Sequence, residues 1–268
     1  MGTRPTGALA LMAQQHEVVH VIYCQFLRGW SELLQLLATM QTNFHNNREK
    51  TEVEAKFVCP DGLGLNDFLA AISTMDLKYT RENPCFQRDV YLDTSDYTLL
   101  KSDAALRIRQ RGANYVGAYK SCVKQRDAIF ERKELEWTLS NDETKRWAEE
   151  RKPTIPPAII EKLNLQGQVL RKVLVVETQR YTATVIGNDG FKAELSLDEV
   201  IFRGHKGQNT YREVEVELLS GKFEQLKQFT SSLQSQLKLQ PAIGSKYKKG
   251  MILVGKYGTK ISTQYGSQ

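Results

Sequence analysis

The sequence predicts an α+β protein built on an antiparallel sheet or barrel. Strand-forming runs recur from Thr51 onward, turn-forming clusters separate several of them, and only a few helical periodicities lie between. The 268-residue chain is long enough to bury a full core. Its composition, 41% hydrophobic and 25% charged, is ordinary for a soluble globular protein. No apolar run approaches the roughly 20 residues of a membrane-spanning helix, so no membrane partner is expected.

Residues 1–48 stand apart. They hold only two acids before Glu49, namely Glu17 and Glu32, and an apolar periodicity at Val18–Leu37 that reads as an amphipathic helix. The order of a signal peptide is absent. Met12 and Met40 are alternative starts, and targeting to an organelle by this segment is left open. It is treated as an N-terminal extension to a functional domain at 49–258, with 259–268 as a tail. Scattered Cys24, Cys59, Cys85 and Cys122 form no Cys-x-x-Cys pair, which favours free thiols and a cytoplasmic location. The four histidines are equally scattered and suggest no metal site.

Strands are expected at Thr51–Val58, Gln87–Asp93, Ala105–Arg111, Tyr115–Ser121, Ile129–Leu139, Val173–Ile186, Phe191–Ile201 and Tyr211–Leu218. Turn signals fall at Gly112-Ala113-Asn114, at Gly187 to Gly190 and at Gly204 to Asn209. The Asn188-Asp189-Gly190 sequence marks a hairpin. Helical periodicity appears at Asn66–Leu77, Asp142–Arg151, Pro157–Leu163 and Lys222–Leu239, the last with Phe223, Leu226, Phe229, Leu233 and Leu237 on one stripe.

Most of these strands carry one apolar and one charged face, because successive side chains alternate. Glu52, Glu54 and Lys56 oppose Val53, Ala55 and Phe57. Arg107, Arg109 and Arg111 share a face, as do Glu213, Glu215 and Glu217. Arg132, Glu134 and Glu136 oppose Lys133, Leu135 and Trp137, which places Trp137 in the core. Lys192, Glu194, Ser196 and Asp198 form another such row, Lys120 closes one alternation and Arg180 another. Amphipathic helices would cover the apolar faces. The charged faces either meet solvent on an open sheet or turn inward to line a wet, charged tunnel. Arginine and glutamate are segregated by strand, and rows of like charge destabilise a strand by up to about 1 kcal/mol per neighbouring pair unless they are neutralised. That segregation brings the tunnel level with the open sheet. The net charge of +6 points to a polyanionic ligand.

With these residues in hand, the chain resembles the CYTH superfamily, the triphosphate tunnel metalloenzymes. Glu52-x-Glu54-x-Lys56 is similar to the family's opening motif, and Tyr91-Leu92-Asp93-Thr94 with Leu106-Arg107-Ile108-Arg109 to its middle signature. Lys120, Arg132-x-Glu134, Arg180, Asp198, the Glu213–Glu217 run and Ser245-Lys246 follow in the family's order. The resemblance runs from Glu52 to about Lys256.

It implies a closed antiparallel barrel of eight strands with a charged interior, covered by amphipathic helices. It also implies metal-dependent chemistry on a triphosphate with Mg²⁺ or Mn²⁺. Arginine forks and lysine point charges suit phosphate oxygens, so Lys56, Arg107, Arg109, Lys120, Arg132, Arg180 and Lys246 are assigned to substrate. Carboxylates suit the hard metals, so Glu52, Glu54, Glu215 and Glu217 are assigned to metal, with Glu134, Asp198 and Glu213 as further candidates. Glu52 or Glu54 is the expected acceptor of the attacking water's proton. The favoured activity is hydrolysis of inorganic tripolyphosphate to pyrophosphate and phosphate. Class IV adenylate cyclase, thiamine triphosphatase and a non-catalytic polyphosphate- or RNA-binding module are the alternatives. A nucleic-acid partner is disfavoured because the carboxylates are intact, and oligomeric state is left open.

Overall fold

Alternation of apolar and charged residues leaves each long strand with one face to bury. The computed structural model describes residues 49–150, 152–165, 167–204 and 207–256. The Val18–Leu37 helix, the extension 1–48 and the tail 259–268 lie outside the described residues. The described strands are β1 Lys50–Val58, β2 Lys78–Arg81, β3 Cys85–Asp93, β4 Ala104–Arg111, β5 Asn114–Arg126, β6 Ile129–Thr138, β7 Arg171–Ile186, β8 Lys192–Gly204, β9 Gly207–Ser220 and β10 Gln240–Pro241. The helices are α1 Leu65–Ser73, α2 Thr98–Lys101, α3 Asn141–Glu150, α4 Pro157–Leu163, α5 Phe223–Leu237 and α6 Lys246–Leu253.

Eight strands close into an antiparallel barrel in the order β1-β6-β5-β4-β3-β7-β8-β9. The seam forms where β9 returns to β1, with Glu54 opposite Glu217 and Lys56 opposite Glu215. All eight expected strands are present. The expected hairpin at Asn188-Asp189-Gly190 joins β7 to β8, with Asp189 and Gly190 at φ values of 57° and 77°, the left-handed region that tight hairpin turns use.

Two apolar layers lie outside the barrel. Helices α1 and α5 bring Phe68, Ile72, Leu226 and Leu233 onto Phe57, Leu195, Val214 and Val216. On the other flank Leu99, Trp147, Ile159 and Leu163 pack on Leu106, Ile108, Leu135 and Trp137. The Trp137 indole lies across Gly117 of β5, its register partner. A Cβ at Gly117 would sit 2.1 Å from that ring. The indole Nε1 donates to the Thr154 carbonyl at 3.1 Å.

Two short strands and two helices were not expected. β2 is exposed along its length and shows no apolar face, and β10 spans two residues. Helix α2 is one turn long, too short for a period to register. Helix α6 buries Lys246 and Lys249 with Tyr247 and Met251, which inverts the usual polar-out pattern. Helix α1 ends earlier than Asn66–Leu77 because Ser73 and Thr74 hydroxyls bond back to the Leu69 and Ala71 carbonyls. Asp76 then takes a left-handed φ of 54° and turns the chain into β2.

Helix α6 closes one end of the barrel. Inward-facing Leu174, Val176, Val200 and Phe202 form an apolar plug with Tyr247 and Met251. Gly250 permits the approach, since a Cβ there would lie 2.6 Å from Leu174 and Phe202. Ser245 caps the helix by accepting from the Lys248 backbone N–H. The Tyr247 hydroxyl donates to Asp93 Oδ2 at 2.7 Å. Asp93 also accepts from the N–H groups of Thr94, Leu99 and Leu100, so one buried carboxylate ties α2 and α6 to β3. Lys249 Nζ meets Glu213 at 2.8 Å and lies 3.7 Å from the centre of the Tyr211 ring.

Replacing Gly117→Ala should overpack the indole and cost about 1–3 kcal/mol, read as a lower urea midpoint; an unchanged midpoint would show the Trp137 contact to be slack. Acid should also loosen the α6 end. Burial pushes the Glu213 carboxyl up, but Lys246 and Lys249 override it and hold it at about 2. A carboxylate depressed on folding stabilises fully above its unfolded value of 4.5 and loses that contribution as pH falls toward about 2. The urea midpoint should therefore fall across that window, and Glu213→Gln should flatten the fall. An equally steep fall in Glu213→Gln would assign the acid sensitivity elsewhere.

Candidate functional site

The inward faces enclose a cavity of about 330 Å³ whose lining includes nine lysines and arginines and seven glutamates. Its walls are polar in opposite senses. In the ring of eight strands β4 and β9 stand four places apart, so they face each other across the bore. β4 presents Arg107, Arg109 and Arg111 to the cavity, and β9 presents Glu215 and Glu217. The exposed lining residues Lys50, Arg111, Glu136 and Leu219 lie at the beginning of β1 and the ends of β4, β6 and β9. In an antiparallel barrel those positions share one rim, which is the mouth. The opposite end holds α6.

The basic wall is short of carboxylates. Asp89 of β3 is buried and accepts a two-pronged contact from Arg109, Nε to Oδ1 at 2.7 Å and Nη2 to Oδ2 at 2.8 Å. Arg107 reaches the same carboxylate at 3.6 Å. Burial would raise the Asp89 carboxyl, but Arg109 and Arg107 hold it well below the usual range. One carboxylate thus serves two arginines, and the surplus positive charge is available to an anion. Lys120 on β5 sits between Glu52 at 2.7 Å and Glu134 at 3.0 Å.

At the inner end the charges interlock. Arg180 grips Asp198 through two contacts at 2.8 and 2.6 Å and reaches Glu215 at 2.6 Å. Lys246 contacts Asp198 at 2.8 Å, Glu213 at 2.5 Å and Glu215 at 2.8 Å. Lys56 pairs with Glu215 and lies 3.1 Å from Glu54. Oxygen atoms of Asp198, Glu213 and Glu215 come within 4.8 Å of one another, a spacing that a metal could use. Here, though, Lys56, Arg180, Lys246 and Lys249 already interleave them. Of the carboxylates expected on metal, Glu215 contacts the most cations, Lys56, Arg180 and Lys246. Burial opposes its charge, and Lys246, Lys56 and Arg180 hold it ionised far below the ordinary value. Glu213 partners lysines rather than an arginine, deep beneath the bore.

A second set of carboxylates has fewer cations per group: Lys50 meets Glu217 at 2.6 Å, and Arg180 lies 3.8 Å from Glu194. Glu194, Glu217 and Glu54 are register partners across β8, β9 and β1, and Glu52 is one pleat along β1. Burial pushes the Glu217 carboxyl up, and the Glu52 carboxylate pushes it further. Like charges in register repel, and a divalent cation would relieve them. Oxygen donors of this kind fit Mg²⁺ or Mn²⁺, so Glu52, Glu54 and Glu217, joined by Glu194, could hold one. Arg132 Nη1 lies 3.3 Å from Glu54, with its guanidinium carbon 4.8 Å from the Phe130 ring centre.

All of the assigned cations, Lys56, Arg107, Arg109, Lys120, Arg132, Arg180 and Lys246, line this one cavity, as do Glu52, Glu54, Glu134, Glu215 and Glu217. Asp198 and Glu213 lie behind it. Asp89 went unassigned from sequence, although its parity with Tyr91 was the available signal. Arg111, Glu136 and Glu194 were read on charged faces but not given roles.

Structures with this fold include a candidate adenylate cyclase from Bacillus halodurans, 22% identical with a TM-score of 0.52, spanning 75% of this chain and 97% of that one. Another is a candidate adenylyl cyclase from Hippeastrum with a dominant triphosphatase activity, 19% identical with a TM-score of 0.54, spanning 77% and 97%. No curated protein matches by sequence. The family model described as the CYTH domain matches residues 50–250, and with that span matched the chain belongs to the CYTH family.

Proposed function

We propose that the cavity binds a triphosphate and hydrolyses it with the help of a divalent metal, with inorganic tripolyphosphate as the substrate, released as pyrophosphate and phosphate. The observation that carries this reading is the facing of the β4 arginine row by the β9 glutamate row across one bore. A phosphate chain lying along β4 meets Arg107 and Arg109, with Lys120 beside them. A bound divalent cation would neutralise phosphate oxygens and polarise the attacking water. Glu52, Glu54 and Glu217, with Glu194, are the groups we assign to hold it. Glu52 or Glu54 takes the proton from water as its oxygen bonds to phosphorus and the phosphoanhydride bond breaks.

Residues deeper in the barrel position those groups. Lys56 and Lys246 are fastened by the buried acids, which orients their charge toward the bore. The tyrosine rings in the lining support an inorganic substrate over a ringed one. Tyr91 and Tyr247 stack on each other with centroids 5.0 Å apart and planes 6° apart, and the Tyr247 hydroxyl is taken by Asp93. Their rings and polar tip are already engaged, so the wall offers charge rather than a stacking platform.

Phosphate release from tripolyphosphate, ATP and thiamine triphosphate, with Mg²⁺ and with Mn²⁺, should be greatest for tripolyphosphate. Turnover of none of the three would favour the binding-module reading. Glu54→Gln and Glu217→Gln should each lose metal-supported turnover by about a hundredfold or more, since electrostatic groups at such sites supply several kcal/mol. They should also lose the rise in Tm that Mg²⁺ or Mn²⁺ gives the parent. Full turnover in either would refute the metal assignment. Arg109→Ala should lose activity and also about 3 kcal/mol of stability, because buried Asp89 loses its two-pronged partner and keeps only Arg107 at 3.6 Å. Adding Asp89→Asn should restore much of the stability but not the activity; recovery of both would make Arg109 a purely structural partner.

A further inference from the structure

Arg111 is the outermost rung of the arginine row and differs from the other two. It forms no ion pair among the described residues, and its side-chain hydrogen bond is Nε to Gln87 Oε1 at 3.1 Å. Gln87 is 1% exposed, and its Nε2 has no hydrogen-bond partner. The Gln87 carbonyl therefore sets the angle of the guanidinium, whose remaining N–H donors stay uncommitted. Although its tip is exposed at the rim, partial desolvation of its stem, and then the neighbouring guanidinium groups of Arg109 and Arg180, disfavour the Arg111 charge. An anion at this spot would relieve that repulsion.

Position makes the spot discriminating. Inward residues of a strand recur about every 6.7 Å, so Arg107 to Arg111 climbs about 13 Å along β4, from the deep bore to the rim. The deep end is filled by α6 with its Tyr91–Tyr247 stack. Any organic group attached to a phosphate chain must then remain at the mouth, beside Arg111. In an inorganic chain the phosphate at that end is free and carries a further ionisable oxygen. In a nucleoside triphosphate the same phosphate is esterified and has lost it.

We propose that Arg111, oriented by Gln87, is a specificity-determining residue that reads the free terminal phosphate at the mouth and favours inorganic chains over esterified triphosphates. The proposal rests on the triphosphate reading above. A guanidinium fork matches the oxygens of a terminal phosphate two at a time; an esterified phosphate still offers two, but it carries less charge and an organic group in place of the third.

The test compares kcat/KM for tripolyphosphate and ATP, with the same metal, in the parent, Arg111→Leu, Arg111→Lys and Gln87→Leu. A charge-assisted hydrogen bond lost in Arg111→Leu should lower kcat/KM for tripolyphosphate by about ten- to a hundredfold, and that for ATP by much less. Arg111→Lys should keep part of the preference, and Gln87→Leu should weaken it by loosening the guanidinium. Equal losses on both substrates, or no loss on either, would overturn the proposal. Should the parent hydrolyse neither substrate, the hydrolytic reading falls. The role of Arg111 is then decided by calorimetry of tripolyphosphate and ATP binding to the parent and Arg111→Leu. A preference for tripolyphosphate that vanishes in the variant supports it, and affinities that shift together for both ligands overturn it.

Discussion

Moving an ion from water into a protein interior carries a penalty of several kcal/mol even after the surroundings relax, and closure of the β9–β1 seam turns the inward charges below the mouth into such cases. On an open sheet Glu54, Lys56, Glu215 and Glu217 would be solvated. With the seam formed, Lys56 stands against Glu215, and Glu54 against Glu217. The first pairing offsets its own desolvation through direct contact. The second does the opposite, because two carboxylates are set side by side. The barrel therefore sets three carboxylates in register, Glu54, Glu217 and Glu194, with Lys56, Arg132, Lys50 and Arg180 drawn against them from the sides. Pairs such as Arg180–Asp198 and Arg109–Asp89, each a bidentate fork on a buried carboxylate, show what full neutralisation looks like in the same fold.

The same constraint explains the helices. A barrel with a wet bore must put its apolar side chains outside, so its cores lie beneath α1 with α5 and beneath α2 with α3 and α4. Helix α6 departs from that arrangement and packs at the barrel end. Its apolar members meet the inward Leu174, Val176, Val200 and Phe202, while Lys246 and Lys249 turn toward the buried acids. Each lysine is tolerable there only because a carboxylate is already in place to receive it. Removing Glu213 would strand Lys249 as surely as removing Asp198 would strand part of Arg180.

What could be read from sequence followed from period. Strands with two-residue alternation, Thr51–Val58 and Tyr211–Leu218 among them, were legible because burying one face leaves a visible pattern. The segregation of Arg107, Arg109 and Arg111 from Glu213, Glu215 and Glu217 was equally visible. Their facing across the bore was not, since it depends on ring order, and ring order depends on the non-local β3–β7 and β9–β1 pairings. Helix α6 escaped because its buried positions include lysines, so its apolar period is broken by charge. Asp89 escaped because it sits between Gln87 and Tyr91 in a strand whose inward face is mixed rather than uniformly charged. Glu215 illustrates a harder limit. Its residue type fits either a metal or a cation cluster, and its three cation partners, Lys56, Arg180 and Lys246, come together only through barrel closure and a helix far along the chain.

Opposed walls also do something that a mixed lining would not. Were arginines and glutamates interspersed on every strand, each would find its nearest opposite and the bore would be electrically quiet. Keeping them on opposite strands leaves the β4 side with Asp89 as the carboxylate in contact with its arginines, and leaves the β9 side with Glu217 pushed up beside Glu52. On the reading proposed above, one ligand set would cancel both surpluses together: an anion against β4 and a hard cation against β9 and β1. Pre-arranged charge of this kind needs no reorganisation when ligand arrives. On that reading the pairing that looks least favourable in the fold, Glu54 against Glu217, is the one whose relief would couple ligand binding to barrel stability.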